Sequence, residues 1–405
     1  MSPMILRGHD DYNSDMKKNK KILIFAKNID GGTGTFLSQF VKIKNKTSVE
    51  KMRILILKKP KFFHMTSYAD NEVAYYPGPI QQREFYDFSV QTIRTLMHEF
   101  LWFKKQIGIF HPDIIIALDT HCCLFSAVLT QTLYRNVHTI LTFHNNIGAV
   151  TFYKLSRVTR WMLRILCAVF FNRVDYIIGV SVGAAEDLKK YFFIFKNVLH
   201  IPYGLNVDTI RHLGNKEIKP QDKLFFINKK INIISIGRFA PQKDFYTLIR
   251  SFKILKNKIS RVQLLLLGDG EEKENLKILT KRLGIEKDVV FLGWKKNVYP
   301  YVKRSSVFVL SSNYEGFSYV IIEAMALGIP VVSTDTPFGP SEILDNGKFG
   351  LLVSMHDSKK LSQALVDLLT HKLSRKKYSR LSLERVSFFT EGKMLKKYLE
   401  IVDSL

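Results

Sequence analysis

The chain has few cysteines, no long uninterrupted apolar run and comparatively few acidic residues. Three cysteines occur among 405 residues, two of them adjacent, and none forms a C-x-x-C pair. This excludes a disulfide framework and a cysteine-based zinc site, and it favours a reduced, cytosolic protein. Residues 1–20 lack the apolar core of a signal peptide and are expected to form a loose tail. The longest apolar window, residues 161–180, contains Arg164, Arg173 and Asp175, so a membrane span is not expected.

Basic residues exceed acidic ones by a wide margin. Lysine and arginine total 61 against 36 aspartates and glutamates, which gives a net charge of +25 and a pI near 9.7. Such a chain attracts anions, whether nucleic acid, anionic lipid headgroups or phosphorylated substrates. The length exceeds that of one ordinary core, so two domains are expected.

Residues 311–344 (SSNYEGFSYVIIEAMALGIPVVSTDTPFGPSEIL) carry the strongest local pattern. An apolar strand at residues 307–310 leads through a glycine-bearing turn into a helix over residues 318–327, and a second strand follows at residues 330–334. The N-terminus of such a helix has unpaired N–H groups and a partial positive charge, so it suits a phosphate.

Two carboxylates occupy fixed positions in this unit. Glu315 lies in the turn and Glu323 lies two turns into the helix, which separates them by about 10 Å. One acid can therefore reach a sugar and the other a ribose, with the N–H groups of residues 316–318 between them. The alternative is that both are solvated charges on an ordinary βα unit.

The segment EGFSYVIIEAMALGIPVVSTD resembles the signature of the retaining GT-B glycosyltransferases of family 4, which use nucleotide sugars. The resemblance extends from about residue 21 to the C-terminus, and TDTPFGPSEIL is most similar to enzymes that extend lipopolysaccharides, capsules and lipid-linked oligosaccharides. It implies an α/β fold of two doubly wound Rossmann-like domains facing across a cleft. It also implies that Glu315 is catalytic and binds the donor sugar with Gly316, Phe317 and Ser318, while Glu323 binds the ribose.

The first half of the chain contributes its own candidates. The strand at residues 21–26 runs into KNIDGGTG, a weak glycine loop without G-x-G-x-x-G spacing or a Walker lysine; a simple tight turn is the alternative. The strand at residues 139–143 delivers His144 and Asn145 at its carboxyl end, where open α/β sheets bind ligands. The resemblance assigns Gly31, Gly32 and Gly34 to the donor diphosphate, Thr33 and Ser181 to the acceptor side, His144 to catalysis at the donor sugar, and Asn145 to the same sugar.

The second half carries a cationic loop. Arg238 and Lys243 follow the strand at residues 231–236, and together they can neutralise a diphosphate leaving group; each alone is more often a surface cation. The resemblance also places Gly268, Gly293 and Trp294 in the base pocket. It divides the chain into an acceptor domain over residues 21–205, a nucleotide-sugar domain over residues 206–388 and a terminal helix over residues 389–405 that crosses back to the first domain.

A helix predicted over residues 152–166 has a basic, aromatic stripe beside an apolar arc. Such a helix can lie against an anionic bilayer; the alternative is that its apolar side packs on the sheet. The membrane-facing candidates are Lys154, Arg157, Arg160, Trp161 and Arg164.

We therefore expect a glycosyltransferase that moves a hexose or N-acetylhexosamine from a UDP- or GDP-linked donor to a lipid-linked or polysaccharide acceptor. No D-x-D occurs in the chain, so no metal or other cofactor is expected. The expected location is the inner face of the cytoplasmic membrane, with no specific nucleic-acid partner. The alternatives are another GT-B sugar-nucleotide enzyme, such as an epimerase or phosphorylase, or a basic membrane- or nucleic-acid-binding protein without activity.

Overall fold

The computed structural model describes residues 20–45, 49–60, 72–78, 90–145, 148, 155–227 and 230–405. The predicted tail, apart from Lys20, lies outside the described residues, as does Lys154.

The first half forms a parallel sheet of seven strands in the order β3-β2-β1-β4-β5-β6-β7. Its strands are β1 (Lys20–Ala26), β2 (Val49–Ile56), β3 (Glu72–Tyr75), β4 (Ile114–Leu118), β5 (His138–Phe143), β6 (Tyr176–Gly179) and β7 (Leu199–His200). The helices between them are α1 (Gly32–Phe40), α2 (Val90–Phe110), α3 (Thr120–Thr132), α4 (Arg157–Phe171) and α5 (Val182–Phe192). The strand order reverses between β1 and β4, the position at which doubly wound sheets open a ligand crevice.

The second half repeats this plan with six parallel strands in the order β10-β9-β8-β11-β12-β13. After α6 (Val207–Gly214) and α7 (Pro220–Ile227), the strands are β8 (Ile231–Ile236), β9 (Val262–Leu267), β10 (Val289–Gly293), β11 (Val307–Leu310), β12 (Val331–Thr334) and β13 (Leu351–Val353). The remaining helices are α8 (Phe245–Lys258), α9 (Lys273–Arg282), α10 (Tyr299–Lys303), α11 (Tyr319–Ala326), α12 (Pro340–Ile343), α13 (Ser358–Thr370), α14 (Lys372–Arg385) and α15 (Glu391–Ser404). The predicted α/β fold of two Rossmann-like domains is confirmed.

The central strands are apolar because helices cover both faces of each sheet. Every residue of β4 is fully buried. Helices α2 to α5 pack on one face of the first sheet. The other face, with α1, belongs to a core that continues into α11 and α15, so the two domains share buried apolar contacts.

Two chain crossings connect the domains, and they are tied to each other. The N–H of Leu205 donates to the carbonyl of Phe389, and the N–H of Glu391 donates to the carbonyl of Leu205, both at 2.8 Å. A Cβ at Gly204 would lie 2.4 Å from the carbonyl oxygen of Thr390, so only glycine allows this approach. Helix α15 then packs on the first domain, where the Tyr398 ring lies 5.5 Å from that of Phe36.

Several predicted elements differ from the structure. Two elements have no clear pattern in the sequence. The edge strand β3 is short and of mixed composition, and the helix α14 is a basic stretch with too few apolar residues to reveal a helical period. The helix predicted over residues 152–166 begins at Arg157, because the Ser156 hydroxyl caps it by accepting from the Thr159 N–H at 3.2 Å, and it continues to Phe171.

Candidate active site

The turn between β11 and α11 is held rigidly at the carboxyl edge of the second sheet. The Ser311 hydroxyl donates to the carbonyl of Lys243 at 2.8 Å, and the Thr334 hydroxyl donates to that of Ser312 at 2.7 Å. Ser318 is the N-cap of α11, yet its side chain makes no capping bond. Its hydroxyl is buried without a hydrogen-bond partner among the described residues. The start of α11 therefore keeps free donors for a ligand.

Glu315 is buried and paired with the predicted phosphate-binding lysine. Its Oε1 lies 2.6 Å from the Nζ of Lys243 and accepts from the Ser312 hydroxyl at 2.6 Å. The two charged side chains are 6% and 20% exposed, so the pair is largely shielded from solvent. A buried ion pair keeps both groups in place, and each can exchange its partner for a ligand of the same charge.

The loop that carries Arg238 and Lys243 is fastened to the same turn. The Asn313 N–H donates to the carbonyl of Gln242 at 2.8 Å, and the Gln242 amide donates to the carbonyl of Tyr314 at 3.0 Å. Arg238 is exposed at the start of this loop. The structure thus brings the predicted diphosphate loop and Glu315 together.

Glu323 lies farther along α11 and is half-buried. Burial raises the pKa of its carboxyl to about 7, although a hydrogen bond from the Tyr299 hydroxyl at 3.0 Å acts in the opposite direction. Tyr299 was not anticipated from the sequence, because it lies on α10 and meets Glu323 only through packing of two helices.

The predicted base-pocket glycines lie at neighbouring strand ends. The N–H of Gly268 donates to the carbonyl of Gly293 at 3.1 Å. Gly268 has φ +141°, and a Cβ there would lie 1.9 Å from the carbonyl oxygen of Gly237, so the position requires glycine. Gly237 in turn lies against the side chain of Lys243. Trp294 follows Gly293 and is 45% exposed.

His144 faces this unit from the first domain, but its ring is already engaged. Its Nδ1 contacts the Tyr203 hydroxyl, and its Nε2 lies 3.1 Å from the Thr142 hydroxyl. The hydrogen of Thr142 goes to the carbonyl of Ala117, so Nε2 must carry the proton and Nδ1 must accept from Tyr203. Burial lowers the pKa of His144 to about 3, so the imidazole is neutral.

The backbone of His144 lies close to the turn before α11 in the second domain. A Cβ at Gly316 would lie 2.3 Å from the His144 carbonyl oxygen and 2.9 Å from the Cα of Asn145. Phe317, beside this contact, packs edge-on against Tyr203 at 5.3 Å. Only glycine at residue 316 lets the predicted donor-sugar turn meet residues 144–145 in this way.

The predicted glycine loop faces the start of α11. Gly31 caps α1 with φ +82°, and its carbonyl accepts from the N–H of Gly34 at 3.1 Å. A Cβ at Gly32 would lie 3.2 Å from the ring of Tyr319. Thr33, half-buried, belongs to the same turn of α1. Gly32 therefore lies across the domain interface from α11, the helix that carries Glu323.

Ser181 is placed differently from the other candidates. Its buried hydroxyl caps α5 by accepting from the N–H of Ala184 at 3.1 Å. Next to it, the N–H of Val182 donates to Glu342 at 2.8 Å, and the other oxygen of Glu342 lies 2.9 Å from the Nε2 of His200. Glu342 thus joins the second domain to the first. Its place in TDTPFGPSEIL was the only signal in the sequence.

The predicted membrane-facing residues lie on α4, among the helices that cover the outer face of the first sheet. Arg157 and Trp161 are exposed, Arg160 donates to the carbonyl of Leu155 at 3.0 Å, and the guanidinium of Arg164 lies 5.5 Å from the ring centre of Phe193. They therefore lie apart from the turn that carries Glu315.

Among the described residues, no helix combines the length and apolar character that a membrane crossing requires. Within the same residues, no cluster of three or more histidines, cysteines and acids is arranged to hold a metal ion.

Two known families match the chain, one in each domain. The family described as "Glycosyltransferase Family 4" matches residues 65–209, and that described as "Glycosyl transferases group 1" matches residues 216–383.

Curated relatives extend this similarity. The lipopolysaccharide core biosynthesis glycosyltransferase LpsE of Rhizobium meliloti is 34% identical over 62% of this chain and 70% of its own length. An uncharacterized glycosyltransferase of Methanocaldococcus jannaschii is 28% identical over 80% of this chain and 89% of its own length. A Campylobacter jejuni N-acetylgalactosaminyltransferase, which by its name acts on a diphospho-undecaprenol-linked sugar, is 31% identical over 58% of this chain and 62% of its own length.

Solved structures share the fold. Anabaena Alr3699/HepE in complex with UDP superposes with a TM-score of 0.73 at 18% identity, over 95% of this chain and 100% of that chain. The lipopolysaccharide outer core galactosyltransferase WaaB in its apo form gives a TM-score of 0.69 at 17% identity, over 95% and 99% of the two chains.

Proposed function

Because this chain belongs to the group 1 glycosyltransferases of family 4, we propose that it transfers a hexose or N-acetylhexosamine from a UDP- or GDP-linked donor with retention of configuration. The proposed acceptor is a lipid-linked glycan or a growing polysaccharide of the cell envelope. The acceptor class is supported by the relatives named for lipopolysaccharide core synthesis and for a diphospho-undecaprenol substrate. UDP-sugars are the first donors to test, since the Anabaena structure contains UDP.

One observation carries the proposal. The Lys243–Glu315 ion pair lies at the turn before α11, where the buried hydroxyl of Ser318 has no hydrogen-bond partner among the described residues. A diphosphate placed there receives the charge of Lys243, the N–H groups of residues 316–318 and the hydroxyl of Ser318. Arg238, exposed in the same loop, can approach the diphosphate from solvent. These groups stabilise the nucleoside diphosphate as it leaves, which is the main electrostatic requirement of glycosyl transfer.

The two acids take different parts of the donor in this proposal. When Lys243 turns to the diphosphate, Glu315 becomes free to accept hydrogen bonds from sugar hydroxyls. Glu323 exchanges its bond with Tyr299 for the ribose hydroxyls. Both acids are acceptors rather than proton donors here, and we assign no covalent nucleophile. The cationic side chains supply the neutralising charge, so we propose that transfer does not depend on a metal or other cofactor.

His144 acts in this proposal as a neutral, fixed group. Burial lowers the pKa of His144 to about 3, so almost no imidazolium is present at neutral pH to act as a general acid. Its carbonyl, which faces Gly316, is the group positioned to bind the reacting sugar, together with Asn145. The catalytic contribution of His144 is therefore orientation, and its ring serves to hold that carbonyl in place.

The test is a screen of UDP- and GDP-sugars for slow hydrolysis, with and without a metal chelator. Mass spectrometry of lipid-linked products from membranes then identifies the transferred sugar. Arg238→Ala and Lys243→Ala are expected to reduce turnover at least tenfold, because each removes a charge-assisted contact to the leaving group. The matched controls Lys281→Ala and Arg282→Ala, on the exposed end of α9, should retain activity. Full activity of both loop variants would contradict the proposal.

A further inference from the structure

Two helices of the first domain present exposed apolar stripes on the same side of its sheet. On α2, Ile93, Met97 and Leu101 recur every fourth residue and are 50–56% exposed. On α4, six apolar side chains are 40–70% exposed and span an arc of about 140°; they are Val158, Trp161, Met162, Ile165, Leu166 and Val169. Large apolar side chains clustered in this way on a solvent-exposed surface mark an interaction site.

The stripe on α4 is not the side that packs on the sheet. That side consists of Leu163, Cys167 and Phe171, which belong to the core beneath the helices. The alternative, in which the apolar arc of this helix packs on the sheet, therefore does not hold for Met162 and Ile165, which are exposed. Helix α4 has two apolar sides, and only one of them is covered within the described residues.

The charges on helices α2, α3 and α4 are almost all of one sign. Helices α2, α3 and α4 together contain one acid, Glu99, which is 4% exposed and lies 2.9 Å from His121. The same helices carry six basic residues, namely Arg94, Lys104, Lys105, Arg157, Arg160 and Arg164. A surface that combines exposed apolar side chains, a tryptophan and basic residues without exposed acids is complementary to an anionic bilayer.

We propose that the exposed stripes of α2 and α4, with their flanking basic residues, dock the first domain onto an anionic lipid surface. The benefit of docking rests on the proposed function, because a docked enzyme would meet a lipid-linked acceptor in the plane of the membrane. Helix α4 follows β5, the strand that ends just before His144, so its N-terminal end lies at the carboxyl edge of the sheet.

The test is co-sedimentation of the full chain with vesicles of phosphatidylcholine, with and without phosphatidylglycerol. Met162→Ser/Ile165→Ser in α4 and Met97→Ser/Leu101→Ser in α2 are each expected to weaken binding to the anionic vesicles about tenfold, since each pair removes apolar area. The matched control Leu224→Ser/Ile227→Ser changes two exposed apolar residues of α7 in the other domain and should bind normally.

A second pair of variants tests the contribution of charge, since both variants change the net charge of the chain by the same amount. Arg157→Glu is expected to weaken binding to anionic vesicles about fivefold or more, and raised salt should weaken the wild type as well. Lys376→Glu, on the exposed side of α14, is the control. Equal binding of Arg157→Glu and Lys376→Glu, or equal wild-type binding to neutral vesicles, would overturn the inference.

The experiment also distinguishes self-association through this face, and failure of the proposed function, from docking on a bilayer. If the stripe variants bind vesicles normally but lose self-association in sedimentation velocity, the face joins two copies of the chain and the bilayer inference is wrong. Nucleotide-sugar hydrolysis in solution should be unchanged in all these variants. Loss of vesicle binding with hydrolysis intact supports the inference, whereas a wild type that binds vesicles but hydrolyses no donor refutes the proposed function alone.

Discussion

Glu323→Gln is expected to stabilise the protein above neutral pH while weakening donor binding. The carboxyl has a pKa of about 7 in the folded chain, against an ordinary value of 4.5, because it is buried on α11. Between these values the folded state holds a proton that the unfolded state releases, so stability falls as pH rises from about 4.5 to about 7. Above that range, the carboxyl of Glu323 is ionised in the folded protein, and the full free-energy cost of burying its charge opposes folding. Glutamine keeps the shape and still accepts the bond from Tyr299.

The magnitude follows from the size of that pKa difference. At about 1.4 kcal/mol per pKa unit, ionising Glu323 costs at most about 3 kcal/mol, and its partial solvent contact lowers this to about 1–3 kcal/mol. For a domain of this size, 1 kcal/mol corresponds to about 2–4 °C in Tm. We therefore expect Glu323→Gln to raise Tm by about 2–12 °C near pH 8 and to leave it unchanged near pH 4.5.

The assay is thermal unfolding across this pH range, paired with UDP titration. If Glu323 binds the ribose, replacing its charge should weaken UDP binding about tenfold or more, since a hydrogen bond to a charged group contributes about 1.5–3 kcal/mol. Glu274→Gln makes the same change at a largely exposed site and should alter neither property. A Tm gain that does not depend on pH would refute the burial argument. A gain without loss of UDP affinity would refute the ribose assignment.

Three other substitutions separate structural from functional contacts. Lys243→Ala should destabilise the second domain by up to about 3 kcal/mol because it leaves Glu315 buried without its cation, and adding Glu315→Gln should restore stability in urea unfolding but not activity. Tyr203→Phe should cost about 1–3 kcal/mol in the same assay, because the Nδ1 of His144 loses its donor. Glu342→Ala should favour an open arrangement of the domains, seen as a larger radius of gyration in small-angle X-ray scattering.

Each of these has an outcome that contradicts it. Recovery of activity in the double variant would show that Lys243 serves only to neutralise Glu315. Tyr134→Phe removes a hydroxyl from a more exposed bond, so a loss as large as that of Tyr203→Phe would show that burial of the acceptor is not the cause. An unchanged scattering profile for Glu342→Ala would show that its contacts with Val182 and His200 do not hold the domains together.

The sequence predicted most strands because buried parallel strands are continuous apolar runs, as in β4 and β9. The edge strand β3 escaped notice because it has four residues and no fully buried side chain. The pairing of the 238–243 loop with Glu315 was anticipated only in outline. The hydrogen bonds of this loop with Asn313 and Tyr314 depend on loop conformation, which no local pattern encodes.

The partners of the site residues were beyond sequence reasoning for a different reason. Tyr203 lies 59 residues from His144, and Tyr299 lies 24 residues from Glu323, so only the folded chain brings each pair together. The orientation of α4 was also undetermined, since its sequence has apolar side chains on two arcs and either could cover the sheet. The structure buries the arc of Leu163 and Cys167.

Two groups of the candidate site are held in unfavourable surroundings, and ligand binding would account for both. Burial penalises the charge of Glu323, and the buried hydroxyl of Ser318 has no hydrogen-bond partner within the part of the chain that the structure describes. A donor that supplies hydroxyls to the first and a phosphate oxygen to the second relieves both penalties at once. It must also separate Lys243 from Glu315, which opposes binding. Strong donor stabilisation is therefore expected only when diphosphate, ribose and sugar are present together, so UDP alone should protect the fold less than the intact nucleotide sugar does.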